Sequence, residues 1–120
     1  MFFKNFEQIV SNGQTSELKR KREDIIEILT AAIDAVNPYN AVKKVFDKDK
    51  LVFESEEIDL TSFENIYVIG FGKASVGMAR AVYDFTKVSS GVVVTNDSEE
   101  KLDNDRVDVV VGGHPIPNIG

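Results

Sequence analysis

The chain has 120 residues, a formal net charge of −6, 42% hydrophobic and 28% charged residues, and no cysteine. That length fits one modest domain, and the composition is ordinary for a globular protein, which excludes collagen-like, low-complexity and wholly disordered classes. The absent thiols exclude a disulfide framework and a cysteine nucleophile and suit a reducing, cytoplasmic setting, while the acidic balance argues against a nucleic-acid partner. No apolar run nears the roughly 20 residues that span a bilayer, and Met1-Phe2-Phe3-Lys4 leads into polar sequence, so no membrane partner is expected.

Phe2, Phe3, Phe6, Ile9 and Val10 form a short apolar cluster, closed by the turn signal Asn12-Gly13. From Thr15 or Ser16 the pattern is helical, because Leu18, Ile25, Leu29, Ala32, Ile33 and Val36 recur at three- and four-residue steps. Pro38 stops it, since the residue before a proline is pushed out of the helical region. Tyr39 to Phe46 reads as a second, shorter helix with Ala41, Val42, Val45 and Phe46 inward. Leu51 to Leu60 is acidic and weakly alternating, as in an exposed hairpin or an extended connection.

After Asn65 the character changes. Ile66-Tyr67-Val68-Ile69 is a continuous apolar run ended by glycine, the pattern of a strand buried on both faces. Ala74 to Phe85 reads as a helix, with Val76, Ala79 and Val82 as its stripe and Met78 and Phe85 less well aligned. Val92-Val93-Val94 makes a second strand and Val107 to Val111 a third, broken by Asp108. Strand, helix, strand in that order predicts a parallel sheet, whose ligands bind outside the carboxyl ends of the strands. Three segments fall there: Gly70 to Ser75, Thr95-Asn96 and Gly112 to Asn118. Three such strands leave one edge or face of the sheet uncovered, the mark of a piece of something longer.

The turn Gly70-Phe71-Gly72-Lys73-Ala74-Ser75-Val76-Gly77 carries the most information. Glycines at a strand-to-helix turn let the backbone approach a ligand, and the first amides of the helix present partial positive charge to an anion. The dinucleotide pattern GxGxxG fails at Ser75, and in the P-loop pattern Met78 replaces the lysine. Lys73 faces the positive end of the helix dipole, which disfavours a cation by roughly 0.3–1 kcal/mol, so either a bound phosphate or carboxylate pairs with it, or it extends into solvent or pairs with a nearby Asp or Glu. The Ser75 hydroxyl either meets that phosphate or bonds its own backbone.

His114 is the sole histidine and lies on a loop at the ligand edge; alone it reads as a structural or exposed residue. No catalytic triad assembles, and several-imidazole metal binding is excluded. The basic run Lys19-Arg20-Lys21-Arg22 is flanked by Glu17, Glu23 and Asp24 and reads as a solvated helix face. The acidic stretch from Asp97 to Asp105 reads as a solvated loop.

Taken together, Asn37-Pro38-Tyr39-Asn40-Ala41-Val42, Val68-Ile69-Gly70-Phe71-Gly72-Lys73-Ala74-Ser75 with Gly77-Met78-Ala79, Gly91-Val92-Val93-Val94-Thr95 and His114-Pro115-Ile116-Pro117 resemble the amino-terminal part of the glycerate 2-kinases that end in a MOFRL domain. The resemblance covers nearly the whole chain, Gly13-Gln14-Thr15 included. It implies a Rossmann-like, three-layer α/β domain with a parallel sheet, here an amino-terminal fragment of a two-domain protein, with residues 1–60 a helical lead-in and 61–120 the β-α-β core. It also implies ATP-dependent phosphorylation of D-glycerate to 2-phosphoglycerate, with Mg2+ or another divalent cation. By motif, Lys73 is the family's active-site lysine and His114 lies in the cleft wall, both touching substrate; the glycine turn itself is expected to set Gly70, Gly72 and Ser75 against the nucleotide phosphates, and no metal ligand is assigned. The chain departs from the family pattern at Asn96-Asp97-Ser98-Glu99 and at Asn118, so no family role transfers there. Oligomeric state stays open, a homodimer included. Two other readings of the turn stand beside this one: a phosphosugar-binding module of the SIS type, and a dinucleotide-dependent reductase, which lacks its third glycine and an acidic residue ending the second strand.

Overall fold

The computed structural model describes residues 3–113 and 116. Where length alone implies one domain, the chain divides between Asn37 and Pro38 into two compact units.

The first unit is a helical pair, α1 (Phe6–Ser11) packed on α2 (Ser16–Ala35). Thr15 sets the start of α2: its extended backbone leaves the helix, and its hydroxyl oxygen accepts the Leu18 N–H at 3.2 Å. The Arg22 guanidinium donates to the Ile9 carbonyl at 2.8 Å and so ties the two helices together. The basic run lies on a solvated face, where Lys21 pairs with Glu17 at 2.7 Å with both side chains well exposed; such a pair stabilises the helix by only about 0.3–0.5 kcal/mol.

In the second unit Pro38 opens a helix, α3 (Pro38–Lys43), as suits a residue whose missing N–H is not needed in a first turn. The helix expected to reach Phe46 ends at Lys43. Phe46 belongs instead to β1 (Phe46–Asp47), which pairs antiparallel with β2 (Lys50–Phe53), and β2 with β3 (Glu56–Asp59). The reason is tertiary: the Phe46 ring stacks on Phe85 at 5.7 Å between centroids, so the side chain is inward, but inward from a strand. Of the two alternatives for Leu51 to Leu60, the hairpin is the one that forms. A 3-10 turn at Leu60–Ser62 follows, capped by the Asp59 carboxylate.

Next come β4 (Tyr67–Phe71), α4 (Ser75–Phe85), β5 (Ser90–Thr95) and β6 (Val107–Val111). The three strands are parallel, in the order β4-β5-β6, with Ile69 opposite Val92 and Val92 opposite Asp108. Asp108 therefore does not break β6; its side chain simply alternates to the exposed face. On the other face Val93 and Val107 join Val76 and Ala79 of α4 and Val88 in the buried core, with Val68, Val82, Leu102 and Val109 packed around it.

The continuous apolar runs are buried on one face only. Tyr67, Ile69, Phe71, Val92, Val94 and Val110 all remain exposed, Ile69 by 80% and Phe71 by 83%. The topology explains it: the β4-to-β5 connection supplies a helix to one side of the sheet, whereas the β5-to-β6 connection, residues 96–106, contains none.

α4 has a second packing face that its stripe does not announce. Gly77 lies so close to α3 that a Cβ there would sit 3.1 Å from Pro38 Cγ. Four and seven residues on in the same direction, Ala81 is fully buried and Asp84 accepts a 2.9 Å hydrogen bond from the Tyr39 hydroxyl. α3 is thus clamped along the helix that begins at the glycine turn.

Candidate functional site

The turn between β4 and α4 is built from the inside. Gly72 has φ +99°, a conformation that side chains rarely adopt, and nothing lies within 4 Å of where its Cβ would be. The demand for glycine there is conformational rather than steric. Its N–H donates to the Val94 carbonyl at 2.9 Å, which pins the turn to β5. Gly70 serves a different purpose, since a Cβ on it would come within 3.3 Å of the Ser75 Cβ. Ser75 fills that space.

Of its two readings, Ser75 shows the bond to its own backbone. It is 5% exposed, and its Oγ donates to the Gly72 carbonyl at 2.6 Å while lying 3.3 Å from the Val94 carbonyl. A hydroxyl has one proton, and this one is spent on the turn's own backbone.

Lys73 is placed as the sequence suggests. It is exposed, and among the described residues its ammonium has no carboxylate partner. α4 starts two residues later without a capping side chain and with no acidic residue in its first turn, in contrast to the Thr15 cap on α2. Among the described residues the amides of Lys73 and Ala74 have no acceptor. A cation and unpaired N–H groups therefore share one patch, the arrangement that favours an anion.

Three hollows meet at Lys73. One of about 460 Å³ lies across the carboxyl ends of the strands, lined by Gly72, Lys73, Thr95, Asn96, Gly112 and Gly113. Of the three segments placed at that edge from the sequence, Gly72-Lys73, Thr95-Asn96 and Gly112-Gly113 come together here; the rest of the third, apart from Ile116, lies outside the described residues. A second, of about 360 Å³, is walled by Lys73, Asn96, Asp97, Ser98 and Glu100. A third, about 550 Å³ and more apolar, runs along β4 beside Val42, Met78 and Val82 and has Lys73 and Gly70 at its rim. His114 lies outside the described residues.

The loop after β5 is largely solvated, as expected, and its start is held by side-chain hydrogen bonds. Thr95 is 2% exposed; its hydroxyl donates to Glu100 Oε2 at 2.9 Å and accepts the Asp97 N–H at 3.2 Å. Asp97 in turn accepts the Glu99 N–H at 2.9 Å, and Arg80 of α4 donates to the Lys101 carbonyl at 2.9 Å. The signal was a threonine ending a strand with an aspartate two residues on, a side-chain turn motif. Among the described residues no group of three or more carboxylates and imidazoles is placed to hold a metal, and no helix is long and apolar enough to cross a membrane.

These features define an α/β protein with a parallel sheet and an anion-receptive, lysine-bearing turn at the strands' carboxyl ends. The chain belongs to the family described as "Domain of unknown function (DUF4147)", whose model matches residues 24–119. It is similar to the glycerate 2-kinase of Pyrococcus horikoshii, 39% identical over 100 residues that make up 81% of this chain and 22% of that protein. The D-glycerate 2-kinase of Thermotoga maritima is 32% identical over 78% of this chain and 20% of its own length. The glycerate 2-kinase of Picrophilus torridus is 26% identical over 90% of this chain and 25% of its own. A crystal structure of the PH0495 protein from Pyrococcus horikoshii OT3 superposes with a TM-score of 0.66 at 36% identity, over 81% of this chain and 22% of that one. The chain spans between a fifth and a quarter of the length of the relatives it matches.

Proposed function

We propose that this chain supplies one wall of the active-site cleft of an ATP-dependent D-glycerate 2-kinase, as part of a Rossmann-like, three-layer amino-terminal domain in a two-domain, cytoplasmic enzyme. The observation that carries the proposal is Lys73: among the described residues, a cation without a carboxylate partner beside amides without acceptors, shared by three adjoining hollows. The names of the relatives supply the substrate.

Phosphoryl transfer needs chiefly positioning and neutralisation of the charge on the moving group. The 2-hydroxyl oxygen of glycerate attacks the γ-phosphorus as its proton passes to solvent, the bond from the γ-phosphorus to the β-phosphate oxygen breaks, and ADP leaves with that oxygen. Lys73 pairs with the phosphoryl oxygens, and the amides of Lys73 and Ala74 bond to them in the same patch. Gly72 keeps that backbone close to the phosphates, and Ser75 acts from behind. Among the described residues the donor set does not form a metal site of its own. A divalent cation bound with the nucleotide would offset the charge of its phosphate oxygens. The phosphosugar reading needs an accessible hydroxyl at the turn, and the buried Ser75 does not offer one.

The test is ATP-dependent formation of 2-phosphoglycerate by the full-length enzyme. Lys73→Ala should lower kcat about 100- to 1,000-fold, the loss typical of removing one preorganised transition-state contact, with an unchanged circular dichroism spectrum. Turnover near the wild-type value would remove Lys73 from the mechanism.

A further inference from the structure

We propose that Ser75 is a positioning residue that aims the Lys73 amide at the bound phosphate, an inference that rests on the phosphate-binding reading of the turn. In a trans peptide the C=O of one residue and the N–H of the next point in opposite directions. The carbonyl of Gly72 and the amide of Lys73 belong to one such unit, so whatever holds the carbonyl inward turns the amide outward.

Ser75 is what holds it. Its Oγ donates to the Gly72 carbonyl at 2.6 Å and its own N–H reaches the same oxygen at 3.1 Å. The hydroxyl also stands 3.3 Å from the Val94 carbonyl, which already receives the Gly72 N–H at 2.9 Å. The strand end, the glycine and the helix start are thereby joined around a 5% exposed side chain. Beyond its chain neighbours, no described atom lies within 4 Å of where a Cβ on Gly72 would be, so no outside contact braces the turn at that point. Glycine at φ +99° is also the residue least able to keep its own peptide plane fixed. The orientation of the Lys73 amide therefore depends on these internal bonds, of which the hydroxyl's is the shortest.

The test titrates inorganic pyrophosphate into the ¹⁵N-labelled full-length enzyme and follows the Lys73 and Ala74 amide resonances of the native state. Wild type should show saturable shifts at both. Ser75→Ala should keep a native spectrum and bind about 3- to 10-fold more weakly, the worth of one hydrogen bond. Ser75→Cys, which keeps the volume but donates weakly, should fall between them and serves as the measurement if the alanine variant does not fold. Native resonances report only folded molecules, so lower stability with an unchanged dissociation constant would mean a merely structural serine and would overturn the proposal. Absence of any shift in the wild type would overturn the phosphate reading itself, whereas equal binding by wild type and Ser75→Ala would overturn only the role of Ser75.

Discussion

Replacing Gly72 by alanine isolates the conformational demand of the turn. An L-residue held at positive φ costs roughly 1–2 kcal/mol, and the structure places Gly72 at +99°. There is no steric contribution to add, because a Cβ at this position meets nothing within 4 Å. Against the cost stands the lost freedom of the unfolded chain, which favours alanine over glycine by about 0.4–1 kcal/mol. The net destabilisation should be about 1 kcal/mol, a fall in thermal midpoint of about 4–8 °C for a unit of this size. Asparagine tolerates positive φ better than alanine, and the space is open, so Gly72→Asn should recover part of the loss. Gly91 gives the contrast: a Cβ there runs into the Val68 carbonyl, so Gly91→Ala should cost far more by overlap alone. Urea unfolding followed by circular dichroism at 222 nm measures all three. A Gly72→Ala variant as stable as wild type, or an asparagine variant weaker than the alanine one, would refute the reasoning.

Two further expectations concern other parts of the chain. Asp59 accepts the Thr61 hydroxyl at 2.6 Å and then the Thr61 N–H at 2.9 Å, bonds that hold its carboxyl below the usual carboxylate range. The charged form is favoured in the folded state, so this contribution is fully present at neutral pH and fades as the pH drops from about 4 through the lowered folded value. Asp59→Asn should flatten that part of a plot of thermal midpoint against pH, and an unchanged slope would contradict the assignment. Ile69→Thr with Phe71→Ser replaces two side chains that are 80% and 83% exposed. The pair should leave stability within about 0.5 kcal/mol and lower the fluorescence of the hydrophobic dye ANS; a large loss of stability would mean that the sheet face is covered in solution.

What the sequence disclosed was mostly local. Thr15 caps a helix through a residue three places away, and the run into Gly70 names a strand and its turn together, so both are legible in a short window. Phe46 was misplaced because its partner, Phe85, lies on a helix far along the chain, and an inward ring fits a short helix as well as a strand. The apolar runs of β4 and β5 look alike whether one face is covered or two, since composition does not say whether a helix follows. At the site, Gly72 and Lys73 were legible because a positive-φ glycine and a cation against a helix dipole are unusual choices. Ser75 was not, because a serine at a helix start can face either way until the Val94 carbonyl supplies the inward partner. The pairing of Thr95 with Glu100 was hidden for the same reason: an acidic run gives no hint of which carboxylate turns back.

The bare side of the sheet also bears on calorimetry. Unfolding raises heat capacity mainly by hydrating apolar surface, and a chain of 120 residues would ordinarily show an increment of about 1.4–1.8 kcal/mol/K. Six large apolar side chains on this face of the sheet are already wetted in the native state. The increment should therefore fall below that range, and the curve of free energy against temperature should be flatter than the chain's length alone would give.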